Sequence, residues 1–232
     1  MKSFSRSLSL AVAAVCLSAA CALAQEGTAA PPQPQPQPQP QVAQWTDNFD
    51  GAQLDAGKWE RFSFQGTSGG KLKVEAGELR MRGMNGSRSG VRSKQSFTGD
   101  RFIFEATIAK VEMTLPAPDQ KDTAPGTAVL AIMFDGSGRN RVEWLWTSEK
   151  TLEAWAVVDG AGERLDNRKL GTKLKNPTLG IVRRGDEFLF MLNGQEGLSK
   201  TIKNMPRSFR VMLYGWSSAE NHWDSARVVT AK

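Results

Sequence analysis

Cysteine and histidine are almost absent from this sequence. The only two cysteines, Cys16 and Cys21, lie within the first 24 residues, which we expect to be removed from the mature protein. A chain that starts at Gln25 would have no disulfide, no thiolate nucleophile and no cysteine-ligated metal. His222 is the only histidine, so multi-histidine metal sites are excluded and a Ser-His-Asp triad would have to use it. No nucleophile-elbow motif is present either.

Helical periodicity and long apolar runs are also nearly absent. The apolar run at residues 8–17 is too short to span a bilayer, so the sequence predicts no transmembrane segment. Instead, short alternating runs are separated by glycine-rich turns at intervals of about ten residues, which is the pattern of an all-β sandwich or barrel. We therefore expect an all-β fold.

The beginning of the chain has the pattern of a secretory signal peptide. Lys2 and Arg6 precede the apolar run, and residues 22–24 place alanines at the two positions that a signal peptidase requires. We therefore expect residues 1–24 to be a signal peptide and the protein to be periplasmic or secreted. The alternative is a lipid anchor at Cys21, but the preceding Ser-Ala-Ala lacks the leucine that usually stands three residues before a lipidated cysteine.

A Gln-Pro repeat separates this segment from the rest of the chain. It lies in residues 25–41, where every second residue of the repeat lacks an amide donor. Such a segment forms neither a helix nor a sheet interior, and polyproline II is its expected state. We expect a semi-stiff spacer of roughly 30 Å. Residues 42–232 then form one domain of roughly 190 residues, large enough for a single core.

Positive charge exceeds negative charge only modestly. The formal net charge is +6, and it falls to +4 when Lys2 and Arg6 leave with the signal peptide. The excess is scattered without a dense basic block and no nucleic-acid motif accompanies it, so nucleic acid is not an expected partner. Attraction to an acidic polysaccharide or to an anionic envelope surface stays open.

A predicted β-hairpin provides the first functional indication. It consists of two alternating runs, at residues 141–147 and 151–158. One face of the hairpin is wholly apolar and suits a core. On the other face, pairing of the threonines beside the turn places Glu143 opposite Trp155. A solvated sheet face needs no tryptophan, so Trp155 indicates a functional surface; the competing interpretation is that a loop or a second layer covers it.

Further runs complete the predicted sandwich. Residues 127–134 are apolar on both sides and belong at the middle of a sheet. Residues 71–74 and 78–82 predict a hairpin closed at Ala76-Gly77. Residues 115–126, which hold three prolines, predict a loop that forms a rim or lid. The other predicted strands lie at residues 45–49, 59–64, 90–97, 101–111, 179–183, 187–192, 209–215 and 226–231.

The strand at residues 209–215 repeats the chemistry of the Trp155 face. Its non-core side carries a cation and aromatic side chains. Aromatic rings stack on the apolar faces of sugars while charged side chains bind the hydroxyl groups, so the two strands together predict a groove that binds a polysaccharide or other glycan. We expect stacking from Trp155, Tyr214, Trp216 and Trp223, and hydrogen bonds from Arg92, Arg141, Glu143, Glu153 and Arg210.

Three separated segments carry a family resemblance. They are DNFDG at residues 47–51 with the following Leu54-Asp55 and Trp59, SGVRSK at residues 89–94, and LGIVRRGD at residues 179–186 with the following Asn193-Gly194. Together they resemble the concanavalin A-like lectin/glucanase superfamily, in particular family 16 glycoside hydrolases and laminin G-like domains. The resemblance implies a jelly-roll β-sandwich of two curved antiparallel sheets whose concave face binds carbohydrate.

The resemblance also implies where a catalytic strand would lie. In family 16 enzymes one central strand presents a nucleophile Glu, an Asp and an acid/base Glu at alternating positions, since retaining hydrolysis needs two carboxyl groups about 5 Å apart. By its order along the chain that strand corresponds to residues 141–147. There Glu143 is followed on the same face by Leu145 and Thr147, so the complete motif is missing.

These observations favour an exported, non-catalytic carbohydrate-binding domain. One alternative is a glycoside hydrolase or polysaccharide lyase with a non-standard catalytic pair, Glu143 and Glu153. Another is a structural envelope or adaptor protein whose groove is shallow or filled by its own side chains. No cofactor is expected, apart from a structural calcium ion at Asp224 and the backbone around Asp50-Gly51 that the resemblance implies. His222 is expected in a loop at the surface or the groove rim.

Overall fold

The computed structural model describes residues 42–64, 70–82, 88–112, 125–172, 174–216 and 219–231. These residues form sixteen strands and no helix. Within those ranges no helix is long and apolar enough to cross a membrane. The strands are β1 (Val42–Asp47), β2 (Trp59–Ser63), β3 (Lys71–Glu75), β4 (Glu78–Arg82), β5 (Ser89–Ser93), β6 (Phe97–Thr98), β7 (Arg101–Val111), β8 (Thr127–Met133), β9 (Arg141–Thr147), β10 (Thr151–Val158), β11 (Ala161–Lys169), β12 (Thr178–Arg184), β13 (Glu187–Leu192), β14 (Gln195–Thr201), β15 (Ser208–Gly215) and β16 (Glu220–Ala231).

The strands form two antiparallel sheets. Sheet A has the order β14-β13-β12-β7-β16-β4-β3, and β1 also pairs with β16. Sheet B has the order β11-β10-β9-β8-β15-β5-β2, and β6 also pairs with β15. The predicted all-β fold of two antiparallel sheets is therefore confirmed.

The core lies between the two sheets and is built from alternate side chains of each strand. Sheet A contributes Phe104 and Ile108, and sheet B contributes Leu130 and Trp144, all of them buried. The indole nitrogen of Trp144 donates a 2.9 Å hydrogen bond to the carbonyl of Met191, so this ring ties β9 to the facing sheet. Period-two alternation of apolar side chains is thus what makes two sheets stack face to face here.

Several local predictions are confirmed. Glu143 pairs with Trp155 in the β9–β10 hairpin, as expected. Strand β8, which is apolar on both faces after Thr127, lies at the middle of sheet B, and every one of its residues is buried. The β3–β4 hairpin turns at Ala76 and Gly77, whose φ angles of 54° and 74° suit a tight turn that matches the twist of the strands.

Other local predictions are wrong. Strands β11 and β14 were not expected, because both are edge strands whose side chains are mostly polar and exposed, and so lack an alternating pattern. His222 lies within β16, which begins at Glu220, and not in a loop. The predicted signal peptide and spacer, and residues 115–124 of the predicted rim loop, lie outside the described residues.

Candidate functional site

The outer face of sheet B, which points away from the core, carries the polar and aromatic side chains of interest. The register brings one residue from each strand into a transverse row across this face. From β11 to β2 the row is Arg164, Trp155, Glu143, Ala131, Met212, Arg92 and Glu60. Neighbouring rows add Glu153 on β10, Leu145 on β9, Tyr214 on β15 and Phe62 on β2.

Glu143 is the most enclosed charged group of this face. Its side chain is only 2% exposed, and its Oε1 accepts a 2.6 Å hydrogen bond from the Tyr214 hydroxyl. The same oxygen accepts a hydrogen bond from Nε of Arg141. Burial, and then the adjacent Glu143 charge, raises the pKa of Tyr214 well above its ordinary value. Tyr214 is therefore a neutral donor to the Glu143 side chain, which also binds Arg141.

Phe64 covers the middle of the face. The centroid of the Phe64 ring is 5.5 Å from the centroid of the Tyr214 ring and 4.7 Å from the guanidinium carbon of Arg141. The Phe64 ring also packs closely against Gly138. A larger residue does not fit at that position, because a Cβ added to Gly138 would lie 2.4 Å from Cε1 of the ring. Phe62 packs edge-on against Phe64, at a centroid distance of 5.0 Å. These rings shield the Glu143 side of the face from solvent.

A second carboxylate, Glu153, lies next to Trp155 on strand β10. It pairs with Leu145 while Trp155 pairs with Glu143, so Glu153 and Glu143 are diagonal neighbours on adjacent strands. Oε2 of Glu153 accepts a 3.0 Å hydrogen bond from the Trp155 indole nitrogen. The Arg164 guanidinium carbon lies 5.8 Å from the ring centroid of Trp155. The half-buried indole is therefore held in place along its polar edge.

Glu60 forms a charged cluster at the β2 side of the face. It accepts hydrogen bonds from Nε and Nη2 of Arg92, at 3.0 and 2.6 Å, and from Nη1 of Arg210, at 2.8 Å. The hydrogen bond from Arg92 is the main reason that the pKa of Glu60 is lowered, and burial opposes it. Arg92 also donates to the carbonyl of Gly136, which attaches the β8–β9 loop to this cluster.

Solved β-glucanases share the architecture that positions this face. A β-glucanase from Bacillus licheniformis is 13% identical, with a TM-score of 0.60 over 80% of this chain and 97% of that chain. An endo-β-1,3-glucanase from Pyrococcus furiosus is 13% identical, with a TM-score of 0.64 over 81% of this chain and 94% of that chain. The fold is therefore the jelly-roll β-sandwich that these glucanases have.

A laminarinase catalytic domain from Thermotoga petrophila has the same jelly roll. It is 12% identical, with a TM-score of 0.61 over 84% of this chain and 99% of that chain. No protein-family model and no curated protein matches the sequence. At identities this low, the structural similarity establishes the jelly-roll fold alone.

The jelly roll brings most of the predicted site residues together. The outer face of sheet B carries eight of the ten: Trp155, Trp216, Tyr214, Arg92, Arg141, Arg210, Glu143 and Glu153. Tyr214 is fully buried, however, and supports Glu143 instead of presenting its ring to solvent. The aromatic side chains that line the face beside it are Trp155, Trp216, Phe62 and Phe64, each of them partly buried.

The other two predicted site residues lie on sheet A. Trp223 is fully buried in the core, where its indole nitrogen donates to Oδ1 of Asn221 at 2.8 Å, so its predicted stacking on a ligand is wrong. The last strand was predicted to begin at residue 226, whereas β16 begins at Glu220 and carries Trp223 into the core. Asp224 is exposed on the same strand. Within the described part of the chain, no group of three or more His, Cys, Asp or Glu side chains is placed to hold a metal ion.

Sequence inspection missed five residues of the outer face: Glu60, Phe62, Phe64, Arg88 and Arg164. The alternation from Trp59 contained a usable signal, because Trp59 faces the core and Phe62 must then face outward. Arg164 had no such signal, since its edge strand β11 lacks an apolar face.

Proposed function

We propose that this protein is an exported carbohydrate-binding domain that holds a glycan on the outer face of sheet B without cleaving it. The observation that carries the proposal is the enclosure of Glu143. This residue occupies the strand position at which a hydrolase would need an accessible carboxylate, yet it is 2% exposed and hydrogen-bonded to Tyr214 and Arg141.

The composition of β9 argues against a retaining hydrolase. Such an enzyme needs two carboxyl groups about 5 Å apart that both reach the glycosidic bond. The other outward positions of this strand hold Arg141, Leu145 and Thr147. The strand therefore carries one carboxyl group on this face, and Phe64 packs against Tyr214 and Arg141, the two partners of that group.

The remainder of the face favours binding. Trp155 and Trp216 are half-buried on one side of the same sheet, and the Glu60 cluster offers partly exposed arginines beside them. Three proteins of solved structure that share this fold are glucanases, which makes a polysaccharide the natural ligand to test first. Aromatic and hydrogen-bonding side chains on one open face suit a sugar polymer.

Two alternatives each have one observation in their favour. A hydrolase or lyase with an unusual catalytic pair is favoured by the diagonal placement of Glu143 and Glu153. A structural envelope or adaptor role is favoured by Phe64, because this ring fills part of the face with the protein's own side chain.

The test is retention of the purified full chain in gels that contain soluble plant, algal or bacterial polysaccharides, with reducing-end release measured in parallel. We expect retention by at least one polysaccharide without release. Trp155→Ala should abolish the retention and Trp155→Tyr, which restores a ring, should recover part of it. Release that Glu143→Gln abolishes would establish the enzyme instead, and retention by no polysaccharide would leave the structural role.

A further inference from the structure

Four arginines of the outer face of sheet B are stacked on four aromatic rings. The guanidinium carbons lie 4.3 Å from the ring centroid for Arg88 on Trp216, 4.4 Å for Arg92 on Phe62, 4.7 Å for Arg141 on Phe64 and 5.8 Å for Arg164 on Trp155. Each stacked cation occupies one face of its ring, on which a neutral sugar would otherwise stack. The rings in turn hold the planar guanidinium groups in fixed positions above the sheet.

Two of these guanidinium groups are already neutralised. Arg141 donates to Glu143 and to the carbonyl of Gly138, and Arg92 donates to Glu60. Arg210, which is not stacked, donates to Glu60 as well. Their charges therefore serve to hold the face together.

Arg88 and Arg164 differ from the other arginines. The guanidinium group of neither residue makes an ion pair or a hydrogen bond within the described ranges, and each is stacked on an aromatic ring. Arg164 is exposed and Arg88 is half-buried. Among the residues that the structure describes, no carboxylate pairs with either guanidinium group, and the carboxylates Glu60, Glu143 and Glu153 of this face are already hydrogen-bonded to other side chains.

We propose, building on the carbohydrate-binding function above, that the ligand is an acidic polysaccharide whose carboxylate or sulfate groups bind Arg88 and Arg164. A guanidinium presents two parallel N–H donors that match the two oxygens of such an anion. Stacking on Trp216 and Trp155 orders each side chain beforehand, which lowers the entropy lost when the anion binds.

The spacing of the two arginines indicates a polymer. Arg164 lies on β11 and Arg88 immediately precedes β5, five strand positions away in sheet B. With strands about 4.8 Å apart, β11 and the start of β5 are separated by about 24 Å, measured across the strands. A single sugar does not span this distance, whereas a chain with repeating acidic groups meets both guanidinium groups.

The experiment compares alginate and polygalacturonate with the neutral glucans laminarin and lichenan, in affinity gels at about 0.05 M and about 0.5 M salt. Polyglutamate serves as a carboxylate polymer without sugar rings. We expect binding to an acidic polysaccharide that weakens at high salt, with little binding to the neutral glucans or to polyglutamate. The Arg88→Gln/Arg164→Gln double variant should bind the acidic polysaccharide about tenfold more weakly.

The Arg101→Gln/Arg184→Gln double variant is the matched control, because it also removes two positive charges, from exposed positions on sheet A, and should change the affinity less than about twofold. The Arg88→Lys/Arg164→Gln variant should bind more tightly than the Arg88→Gln/Arg164→Gln variant and more weakly than the unaltered protein, since lysine keeps the charge and loses the paired donors. Thermal unfolding of each variant checks that the fold is retained.

The outcomes separate this inference from the proposed function. Binding to the neutral glucans that the double variant leaves unchanged would overturn the acidic ligand and keep carbohydrate binding. Equal binding to polyglutamate would overturn it too, because charge alone would then suffice. Binding to no polysaccharide would overturn the proposed function itself.

Discussion

The hydroxyl of Tyr214 donates a 2.6 Å hydrogen bond to Glu143 across the intervening strand β8. Both side chains are buried, and the contact joins residues from β15 and β9 on the outer face of sheet B. A charged acceptor strengthens such a hydrogen bond, and low accessibility makes the loss of either partner costly. The contact therefore fixes the Glu143 side chain within the packed outer face of sheet B.

The first prediction concerns the ionisation of Tyr214, the only tyrosine in the chain. Its pKa is raised by burial and by Glu143, so the native protein should resist forming tyrosinate near pH 10. The unfolded chain ionises there, so the free energy of unfolding should fall as the pH rises above about 10. Spectrophotometric titration of tyrosinate checks this. Reversible ionisation of the native protein at an ordinary pKa would contradict the buried contact.

The second prediction concerns the energy of the same contact. Tyr214→Phe should lower the free energy of unfolding by about 1–3 kcal/mol, because Glu143 loses a donor inside the protein. Urea unfolding of Tyr214→Phe, Glu143→Gln and the double variant gives the coupling energy. We expect losses that are clearly less than additive. Additive losses would show that the two side chains do not interact.

The third prediction concerns Arg183, which is buried although its neighbour Arg184 is exposed. Its guanidinium donates to the carbonyls of Gly185, Met205 and Pro206, and burial lowers its pKa. Lysine cannot supply this planar set of donors, so Arg183→Lys should lower the free energy of unfolding by about 2–3 kcal/mol. Arg184→Lys is the control and should change it by less than about 0.5 kcal/mol. Equal effects in denaturant unfolding would refute the assigned role.

The fourth prediction concerns Gly138, which has a φ of 75° and lies against Phe64. Gly138→Ala should lower the free energy of unfolding by about 1–3 kcal/mol, because the new Cβ meets the ring and the backbone angle disfavours alanine. Gly136→Ala, in the same loop, is the control, since a Cβ there meets nothing within 4 Å. Thermal unfolding of the two variants checks the difference, and a fully stable Gly138→Ala protein would disprove the close packing of Phe64.

Strands were predictable from the sequence where apolar and polar side chains alternate along them. The β9–β10 register was predictable because both strands have one apolar face and a short turn joins them. Strands β11 and β14 were not, because an edge strand can expose both of its faces. The prediction for Trp223 was wrong because the predicted strand began only at residue 226, and the bulges near Trp223 leave β16 without a regular alternation there.

The amino-acid sequence by itself determined the all-β class, most of the strands and the pairing of Glu143 with Trp155, because these depend on period-two patterns and on contacts between neighbouring segments. Only the tertiary structure decided that Glu143 is enclosed. Its partner Tyr214 and the covering ring of Phe64 come from β15 and from the end of β2, far away along the chain. Alternation says which face a side chain occupies, whereas the packing of rings between distant strands depends on shape and distance in three dimensions.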